Sequence, residues 1–420
     1  MNDVDIRKKI DSIVCDAKSN LASIMHSNVS KRDLALKTIA DLLIDNKNQL
    51  LEENRKDIES AKSMGLPDPM IERLTLDEKT IEGMVESIGT IINLKDPLNR
   101  VLEERKLKNG VFLKKISVPI GVIGIIYESR PNVTVDCAAL CIKSGNACIL
   151  KGGKEALHSN RFLSGLIKKG CAMSSGLNEN VVQFIDITDR EAIKYLLQKN
   201  DFIDLIIPRG GEGLIKFIVE NSKIPVIKQY KGICHVYVDD KADIDKAIKI
   251  CINAKVQRPS VCNAIECIVV HEKAAKEFLP VLKEKFDELG VEIRGCKRTA
   301  DFIDCVSATE KDWDSEFLDL TVAVRIVGDL DEAIGFINEH GTKHSEAIIS
   351  ENEENTEKFF SEIDAACLYS NTSTRFTDGF EFDMGAEIGI STDKIHARGP
   401  MGLKELTTYK YLLKSNGLIR

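Results

Sequence analysis

A cysteine in a polar loop is the residue of this sequence best suited to covalent chemistry. Cys262 lies in the run Gln257-Arg258-Pro259-Ser260-Val261-Cys262-Asn263-Ala264-Ile265-Glu266, just before the apolar run 267–270. The β-branched residues of that apolar run predict a buried strand, so the cysteine belongs to the loop before it. A loop held on a rigid sheet can present a nucleophile, and Arg258 would supply positive charge that favours a thiolate.

The other cysteines provide the alternative interpretation. The chain has twelve, and a cysteine without special surroundings is more often a small buried hydrophobe than a nucleophile. Cys262 departs from that pattern because its neighbours are Arg, Pro, Ser and Asn. Five others lie among Ala, Ile, Leu and Val: Cys137, Cys141, Cys148, Cys251 and Cys267. Without a CxxC pair or a His-pair pattern, the sequence predicts free thiols in a reducing compartment and no metal site.

A second polar loop offers an amide donor. In Glu128-Ser129-Arg130-Pro131-Asn132-Val133-Thr134 the proline fits the first turn of a helix, which leaves the Asn132 side chain near the end of a strand. Its NH2 group, aimed at the cysteine, would form half of an oxyanion hole with the amide of Cys262 as the other half. The alternative is that Asn132 only caps the helix.

Two further loops carry glycine pairs between a strand and a helix. Lys151-Gly152-Gly153 and Arg209-Gly210-Gly211 each put a cation where backbone can approach a ligand closely and helix amides point outward. Lys151 and Arg209 suit ribose or phosphate oxygens. Singly, such turns are common for geometric reasons alone. Two in succession favour a dinucleotide, although the G-x-G-x-x-G spacing is missing from both.

The elements that must position these loops follow from hydrophobic periodicity. The first hundred residues have helical spacing, and a Lys-rich strand-like run follows at 111–118. From Pro119 onward, short apolar runs alternate with helical patterns. That alternation predicts an α/β fold with a parallel sheet covered by helices on both faces. Ligands bind such sheets at the carboxyl ends of the strands, where the loops of Asn132, Lys151 and Arg209 lie, whereas the Cys262 loop precedes its strand.

Length and charge limit the function. The 420 residues have room for two or three units, each with a core of its own. A net charge of −8 argues against a nucleic-acid binder. We find neither a signal peptide nor a long apolar span, so a cytoplasmic protein with no membrane partner is predicted.

Several motifs are long enough to be specific. They are Tyr127-Glu128-Ser129-Arg130-Pro131-Asn132-Val133-Thr134-Val135-Asp136, Pro208-Arg209-Gly210-Gly211, Cys234-His235-Val236-Tyr237-Val238-Asp239, the Cys262 run, and the tail 373–402 with Ser373-Thr374-Arg375-Phe376-Thr377-Asp378-Gly379. Together they resemble the aldehyde dehydrogenase superfamily and, within it, the γ-glutamyl phosphate reductase family. The resemblance covers nearly the whole chain. It implies reduction of L-glutamyl 5-phosphate by NADPH to L-glutamate 5-semialdehyde and phosphate, the second step of proline synthesis from glutamate.

The resemblance also implies roles for individual residues. Cys262 would be the nucleophile that forms a thioester, and Asn132 the oxyanion donor. Lys151 would hold the cofactor ribose, and Glu316 would contact the nicotinamide ribose. The other residues predicted to bind NADPH are Gly152, Gly153, Arg209, Gly210 and Gly211.

A substrate with an amino group, a carboxylate and a phosphate needs several fixed cations. Arg130, Arg258 and Arg375 lie in loops without periodicity and are the predicted substrate-binding residues, Arg375 and Arg258 first among them. For Arg398, in the same kind of loop, ordering of the loop and contact with substrate are equally good interpretations.

The segment 225–232 indicates the fate of the thioester. Oxidising aldehyde dehydrogenases place a Glu there as general base for the water that cleaves it, whereas this chain offers Lys228, Gln229, Tyr230 and Lys231. Relatives are expected to carry His where Gln229 stands, so no role for that His is assumed. A cleaving water would lack its base, which suits a thioester that must survive until hydride arrives.

The predicted architecture is aldehyde dehydrogenase-like, with two α/β domains and a small arm. Residues 1–107 and 121–232 form the NADP-binding domain, 233–402 the catalytic domain, and 108–120 with 403–420 the arm. Two exposed strands in the arm would be unpaired edges in a monomer, so pairing with another subunit and a homo-oligomer are predicted. The upstream glutamate kinase is a further candidate partner.

Two other functions remain open at the level of sequence. A hydrolytic aldehyde dehydrogenase would share the fold and the cysteine, but the missing Glu and the arginine-rich tail disfavour it. A non-catalytic binding protein would share the fold, but the intact loops of Asn132 and Cys262 disfavour it.

Overall fold

The computed structural model describes residues 2–174 and 176–419, so Met1, Ser175 and Arg420 lie outside the described residues. The chain divides into two compact units. The first is Met1–Lys228 with Asp383–Gly389 and Met401–Arg420; the second is Gln229–Phe382 with Ile390–Pro400.

Helices fill the first hundred residues and then alternate with strands, which confirms the predicted α/β fold. The helices are α1 Asp3–Met25, α2 Val29–Asp45, α3 Lys47–Ser63, α4 Asp68–Leu74, α5 Glu78–Asn93, α6 Asn132–Lys143, α7 Leu157–Met173, α8 Glu191–Leu196, α9 Glu212–Asn221, α10 Ile244–Val256, α11 Glu272–Glu288, α12 Glu310–Trp313, α13 Leu330–His340 and α14 Glu353–Glu362. The strands are β1 Val101–Lys106, β2 Phe112–Pro119, β3 Val122–Tyr127, β4 Ala147–Lys151, β5 Val182–Phe184, β6 Leu205–Arg209, β7 Cys234–Val238, β8 Ile265–His271, β9 Glu292–Gly295, β10 Val306–Ser307, β11 Thr321–Val327, β12 Ser345–Ile349, β13 Cys367–Ser370, β14 Gly389–Ser391, β15 Gly399–Met401 and β16 Thr407–Lys414.

The first unit contains a parallel sheet in the order β5-β4-β3-β6. Every residue of β3 and β4 is buried, which explains their continuous apolar sequences. In this order β3 lies between β4 and β6, so the loops that follow these three strands meet at one edge of the sheet.

The second unit contains a larger sheet in the order β10-β9-β11-β8-β7-β12-β13, whose strand pairs are all parallel. Alternate residues point to opposite faces. On β8, Ile268 and Val270 pack on one side with Phe278 of α11, while Cys267 and Val269 pack on the other with Phe359 of α14. Burial on both faces makes this sheet a rigid support for the Cys262 loop.

The arm differs from the prediction. β2 and β16 pair with each other, antiparallel, from Phe112↔Lys414 to Pro119↔Thr407, and β1 pairs with the opposite edge of β2. Within the described residues β2 is paired on both sides, whereas the outer edges of β1 and β16 have no partner strand, so pairing of the arm with another subunit stays a prediction. β1, predicted to lie in the cofactor domain, shares the sheet of the arm. Residues 383–389 group with the first unit, whereas the prediction assigned all of 233–402 to the second. The functions assigned to the domains stay predictions.

None of the helices in the described part of the chain is long and apolar enough to cross a membrane.

Candidate active site

The site residues predicted from the sequence fall into two groups, one in each unit. The edge formed by the carboxyl ends of β3, β4 and β6 carries the first group: Arg130, Asn132, Lys151, Gly152, Gly153, Arg209, Gly210 and Gly211. The loop before β8 and its neighbours carry the second: Arg258, Cys262, Glu316 and Arg375.

Asn132 is the first residue of α6 and directly follows Pro131. Its Nδ2 donates to Oδ2 of Asp136 at 3.3 Å, and Asp136 also accepts from Ser87 Oγ at 2.9 Å. Burial raises the pKa of Asp136, while those two hydrogen bonds and the charge of Arg209 oppose that shift. The amide side chain of Asn132 is therefore oriented by a buried acceptor one helical turn away.

Lys151 ends β4 and is buried, with 6% of its surface exposed. Its Nζ donates to the carbonyl oxygen of Gly152 at 2.7 Å. Burial lowers the pKa of Lys151, and the nearby carboxylate of Glu155 only partly offsets the effect. A buried ammonium group whose hydrogen-bond acceptor is a neutral carbonyl retains donors for a polar ligand.

The glycine pairs have a second physical cause besides close approach to a ligand. A Cβ at Gly152 would overlap the amide of Asn160, one at Gly153 the carboxylate of Glu155, and one at Gly210 would lie 2.7 Å from the carboxyl carbon of Glu128. Polar side chains of neighbouring segments fill the space that a Cβ would need. Packing of the loops among themselves thus favours glycine at 152, 153 and 210, whereas a Cβ at Gly211 would come no nearer than 4.0 Å to another group.

Arg209 ends β6, and its guanidinium packs against Gly389, where a Cβ would lie 2.9 Å from Nη1. Its charge also acts on Asp136, the acceptor of Asn132. These contacts bring Arg209 toward the oxyanion-donor segment, and the predicted contact of Arg209 with cofactor stays a prediction.

Cys262 lies in the loop between α10 and β8, as the sequence predicted, and is half-buried. The five cysteines with apolar neighbours are all buried, and burial raises the pKa of Cys251 and Cys267. All twelve cysteines are free thiols. Cys262 is thus distinguished from those five by exposure as well as by sequence context.

The tail segment 373–377 holds the Cys262 loop through Asn263. The Nδ2 of Asn263 donates to Thr377 O at 2.8 Å, and its backbone carbonyl accepts from Thr374 Oγ1 at 2.7 Å. The Oδ1 of Asn263 accepts from Arg375 Nη1, and Arg375 Nε donates to Gln257 Oε1 at 3.1 Å. Arg375 is therefore fixed against both ends of the cysteine loop.

Arg375 interacts electrostatically with Arg258 and with Cys262. Burial is the largest cause that lowers the pKa of Arg375, and the charge of Arg258 is the second. Asp378 and Cys262 act in the opposite direction and raise it. Two guanidinium groups that interact in this way repel each other, so an anion bound to both would be stabilised.

Glu316 supports the same loop from another side. Its Oε1 accepts from the backbone N–H of Gly232 at 2.9 Å. A Cβ at Gly232 would overlap the carbonyl of Cys262, so this glycine allows two backbone segments to touch. Glu316 thus acts on the Cys262 loop through Gly232 in this structure.

A buried hydrogen-bond chain beneath the loop was not foreseen from the sequence. Cys234 Sγ donates to Cys262 O at 3.3 Å and lies 3.6 Å from Nδ1 of His344. His344 Nδ1 is 2.8 Å from Ser345 Oγ, which in turn contacts Thr377 Oγ1. These residues come from distant parts of the chain, so no local pattern could have revealed them. Cys234 and Thr377 lie within quoted motifs, and that was the available signal.

Arg398 forms a structural ion-pair cluster. Its Nη2 is 2.7 Å from Asp364, whose other oxygen accepts from Lys394 at 2.8 Å and Lys343 at 3.0 Å. These three cations hold the pKa of Asp364 well below its usual range. The geometry favours the loop-ordering interpretation.

In residues 2–174 and 176–419, no group of three or more His, Cys, Asp or Glu side chains is arranged to hold a metal ion.

Comparison with known proteins gives a consistent result. Residues 5–301 match the model of the aldehyde dehydrogenase family. The chain is 49% identical over 418 residues to γ-glutamyl phosphate reductase of Clostridium acetobutylicum, covering 99% of this chain and 100% of that protein. It is 52% identical over 405 residues to the enzyme of that name from Carboxydothermus hydrogenoformans, covering 96% and 97%. The crystal structure of γ-glutamyl phosphate reductase from Thermotoga maritima superposes with a TM-score of 0.96 at 44% identity, covering 98% and 99%.

Proposed function

The chain belongs to the aldehyde dehydrogenase family and, within it, to the γ-glutamyl phosphate reductases, and from that membership we propose how its own residues carry the reaction. It is an oxidoreductase that uses a nicotinamide cofactor and reduces L-glutamyl 5-phosphate to L-glutamate 5-semialdehyde in proline biosynthesis. The finer proposal is that the reductant is NADPH and that the acyl group passes through a thioester on Cys262.

The observation that carries the proposal is the hydrogen bond that holds Arg375 on Asn263, the residue after the half-buried, loop-borne Cys262, where the charge of Arg375 also interacts with Arg258. The Cys262 thiolate attacks the acyl carbon, and the bond from that carbon to the phosphate oxygen breaks. Phosphate leaves as an anion, and the two guanidinium groups stabilise it because it relieves their mutual repulsion. Arg130 is the third cation proposed to bind substrate.

Asn132 is proposed to donate to the oxyanion that forms on the acyl oxygen. Its side chain already has a defined direction, since Asp136 accepts one of its two N–H groups. The second N–H would bind the developing negative charge, as a preorganised donor does in acyl transfer.

The properties of Lys151 support the proposal that the first unit binds a dinucleotide. A buried ammonium group bonded to a neutral carbonyl can exchange that acceptor for a ribose hydroxyl. We propose that Lys151, Gly152, Gly153, Arg209, Gly210, Gly211 and Glu316 hold NADPH. When bound, NADPH supplies the hydride that the thioester carbonyl requires. Cys262 is then expelled as the thiohemiacetal collapses, and the aldehyde leaves.

The absence of a Glu from residues 228–231 protects the thioester in this proposal. Water would need a general base there to compete with hydride, and Gln229 cannot accept a proton at neutral pH. In this proposal the acyl phosphate therefore donates the acyl group to Cys262, and phosphate accepts it in the reverse direction.

The proposal extends to the cellular setting. We infer a homo-oligomer, because β16 leaves the side chains Tyr409, Tyr411 and Leu413 about half exposed. A cytoplasmic location stays a prediction from the sequence. An acyl phosphate hydrolyses readily, so the upstream glutamate kinase is a candidate partner that would hand it over.

Phosphate dependence of the reverse reaction tests the mechanism. With NADP and glutamate semialdehyde, steady-state NADPH formation should require phosphate, and arsenate should replace it. Without either, one turnover per site is expected, since uncatalysed water forfeits a factor of about 100 to 10,000. Cys262→Ala should remove turnover while the fold and cofactor binding persist. A phosphate-independent rate would instead favour the hydrolytic aldehyde dehydrogenase.

A further inference from the structure

The loop that carries Asn132 is tied to both glycine loops by carboxylates. Glu155, in the turn after Gly153, accepts two hydrogen bonds on Oε1, from the backbone N–H of Ser129 at 2.9 Å and from its hydroxyl at 2.7 Å. On the other side, Oε2 of Glu128 accepts from the N–H of Gly211 at 2.9 Å. The donor loop is thus held between the loops after β4 and β6.

Of these two connections, the hydrogen bonds between Glu155 and Ser129 are the more buried. Ser129 is 7% exposed, whereas the bond between Glu128 and Gly211 lies at the surface. Gly153 must lack a Cβ for the Glu155 carboxylate to reach Ser129. The same carboxylate interacts electrostatically with Lys151, so it links the proposed cofactor lysine to the donor loop.

The hydrogen bonds of Glu155 to Ser129 can act on Asn132 because the backbone between Ser129 and Asn132 is short and stiff. Only Arg130 and Pro131 separate Ser129 from Asn132, and the proline ring fixes φ at −61°. The turn is closed by Val133 N donating to Arg130 O at 3.1 Å and Thr134 N to Pro131 O at 3.0 Å. A displacement of Ser129 would therefore move the start of α6 and the amide of Asn132 with it.

We propose that Glu155 is a positioning residue that sets the direction of the Asn132 oxyanion donor through Ser129 and couples it to the Lys151 loop. The inference rests on the proposed role of Asn132. The hydrogen bonds of Glu155 go to Ser129, so we assign it a positioning role and no contact with substrate or cofactor.

A double-mutant cycle with Asn132 tests this role, with kcat measured for NADP, phosphate and glutamate semialdehyde. Asn132→Ala should lower kcat about 100-fold to 1,000-fold, and Glu155→Ala about tenfold. In the Asn132→Ala background, Glu155→Ala should change kcat by no more than about twofold, because the donor that it positions is gone. Glu155→Gln keeps the Oε1 acceptor and should restore most of the rate.

The dissociation constant of NADPH, measured by fluorescence titration, separates positioning from binding. It should stay within about twofold of wild type in Glu155→Ala, because the lost bonds are to Ser129. The matched control is Glu191→Ala, which removes an exposed carboxylate paired with Lys194 in the same unit and should leave kcat and NADPH binding unchanged. If Glu155→Ala does not fold, Ser129→Ala gives the same cycle, since it removes one of the two bonds and keeps the carboxylate.

Three outcomes would overturn the inference. The first is weakened NADPH binding with unchanged kcat, which would make Glu155 a cofactor contact. The second is an undiminished tenfold loss in the Asn132→Ala background, which would show that Glu155 acts independently of Asn132. The third is near-wild-type turnover of Asn132→Ala alongside an inactive Cys262→Ala. That result would refute the proposed oxyanion role itself, whereas the first two refute only the role of Glu155.

Discussion

At the scale of single residues, burial and partners separate chemistry from packing. Cys262 and Cys267 are five positions apart, yet one lies in a polar loop held by Asn263 and the other is enclosed in the sheet core. Exposure of the first thiol and burial of the second follow from the change of loop into strand at Ile265.

Lys151 is predicted to act through cofactor binding. A charge-assisted hydrogen bond contributes about 1.5 to 3 kcal/mol, so Lys151→Ala should raise the dissociation constant of NADPH roughly tenfold to a hundredfold. Fluorescence titration measures it directly. Lys168→Ala is the matched control, because burial also lowers the pKa of Lys168, whose Nζ donates to Gln183. Weaker substrate binding with unchanged NADPH binding would refute the assignment of this loop.

At the scale of elements, the backbone contact between Gly232 and Cys262 fixes the cysteine loop. Gly232→Ala introduces a Cβ against the Cys262 carbonyl, which is backbone and cannot rotate away. We expect kcat to fall at least tenfold and the free energy of unfolding to fall by about 1 to 3 kcal/mol.

Gly335→Ala is the control for the Gly232 variant. Gly335 lies inside α13 in the same unit, and a Cβ there meets nothing within 4 Å. It should leave kcat unchanged and stabilise by about 0.5 to 1 kcal/mol, since alanine is the better helix former. Urea unfolding and steady-state kinetics measure both quantities. A Gly232→Ala enzyme with normal kcat would refute the role assigned to this contact.

The buried chain below the cysteine loop should make stability depend on pH. Burial lowers the pKa of His344 to about 4, below that of an exposed histidine. Above about pH 6.5 the imidazole is neutral in both states, so its contribution to stability is complete. As pH falls toward 4, the unfolded chain takes up a proton that the folded chain does not, and stability is lost.

His344→Gln tests this dependence. Between pH 7 and pH 5 the wild-type free energy of unfolding should fall by about 2 kcal/mol through this residue, and the variant should lack that part of the slope. The exposed His26 serves as the control through His26→Gln, which should follow wild type. Equal slopes in wild type and His344→Gln, measured by urea unfolding at each pH, would contradict the prediction.

At the scale of the whole molecule, we predict that the arm determines assembly. Tyr409, Tyr411 and Leu413 on β16 are 51%, 50% and 59% exposed, and the strand is paired on one side only, with β2. Light scattering should give a multiple of the 46.7 kDa chain mass, and Tyr411→Asp with Leu413→Asp should reduce it. Val281→Asp, at an exposed apolar position of α11, should not. An unchanged mass in the arm variant would exclude this surface from the interface.

The sequence by itself determined what depends on neighbouring residues. Periodicity predicted the helices before residue 100 and the alternation after Pro119, because a helix or strand buries a face that recurs at its own period. The change from polar residues to β-branched residues along the sequence placed Cys262 in a loop. The long motifs identified the family. The loops that carry Lys151, Arg209 and the glycine pairs were recognised because each lies between a short apolar run and a helical pattern.

Only the tertiary structure decided which of these loops and strands touch. The order β5-β4-β3-β6 brings Ser129 to Glu155, and the return of β16 to β2 joins segments from opposite ends of the chain. The hydrogen-bond chain of Cys234, His344 and Thr377 beneath Cys262 joins segments that are far apart in sequence. Such contacts are selected by packing and by the need to satisfy buried polar groups across the whole fold, and no local pattern encodes them.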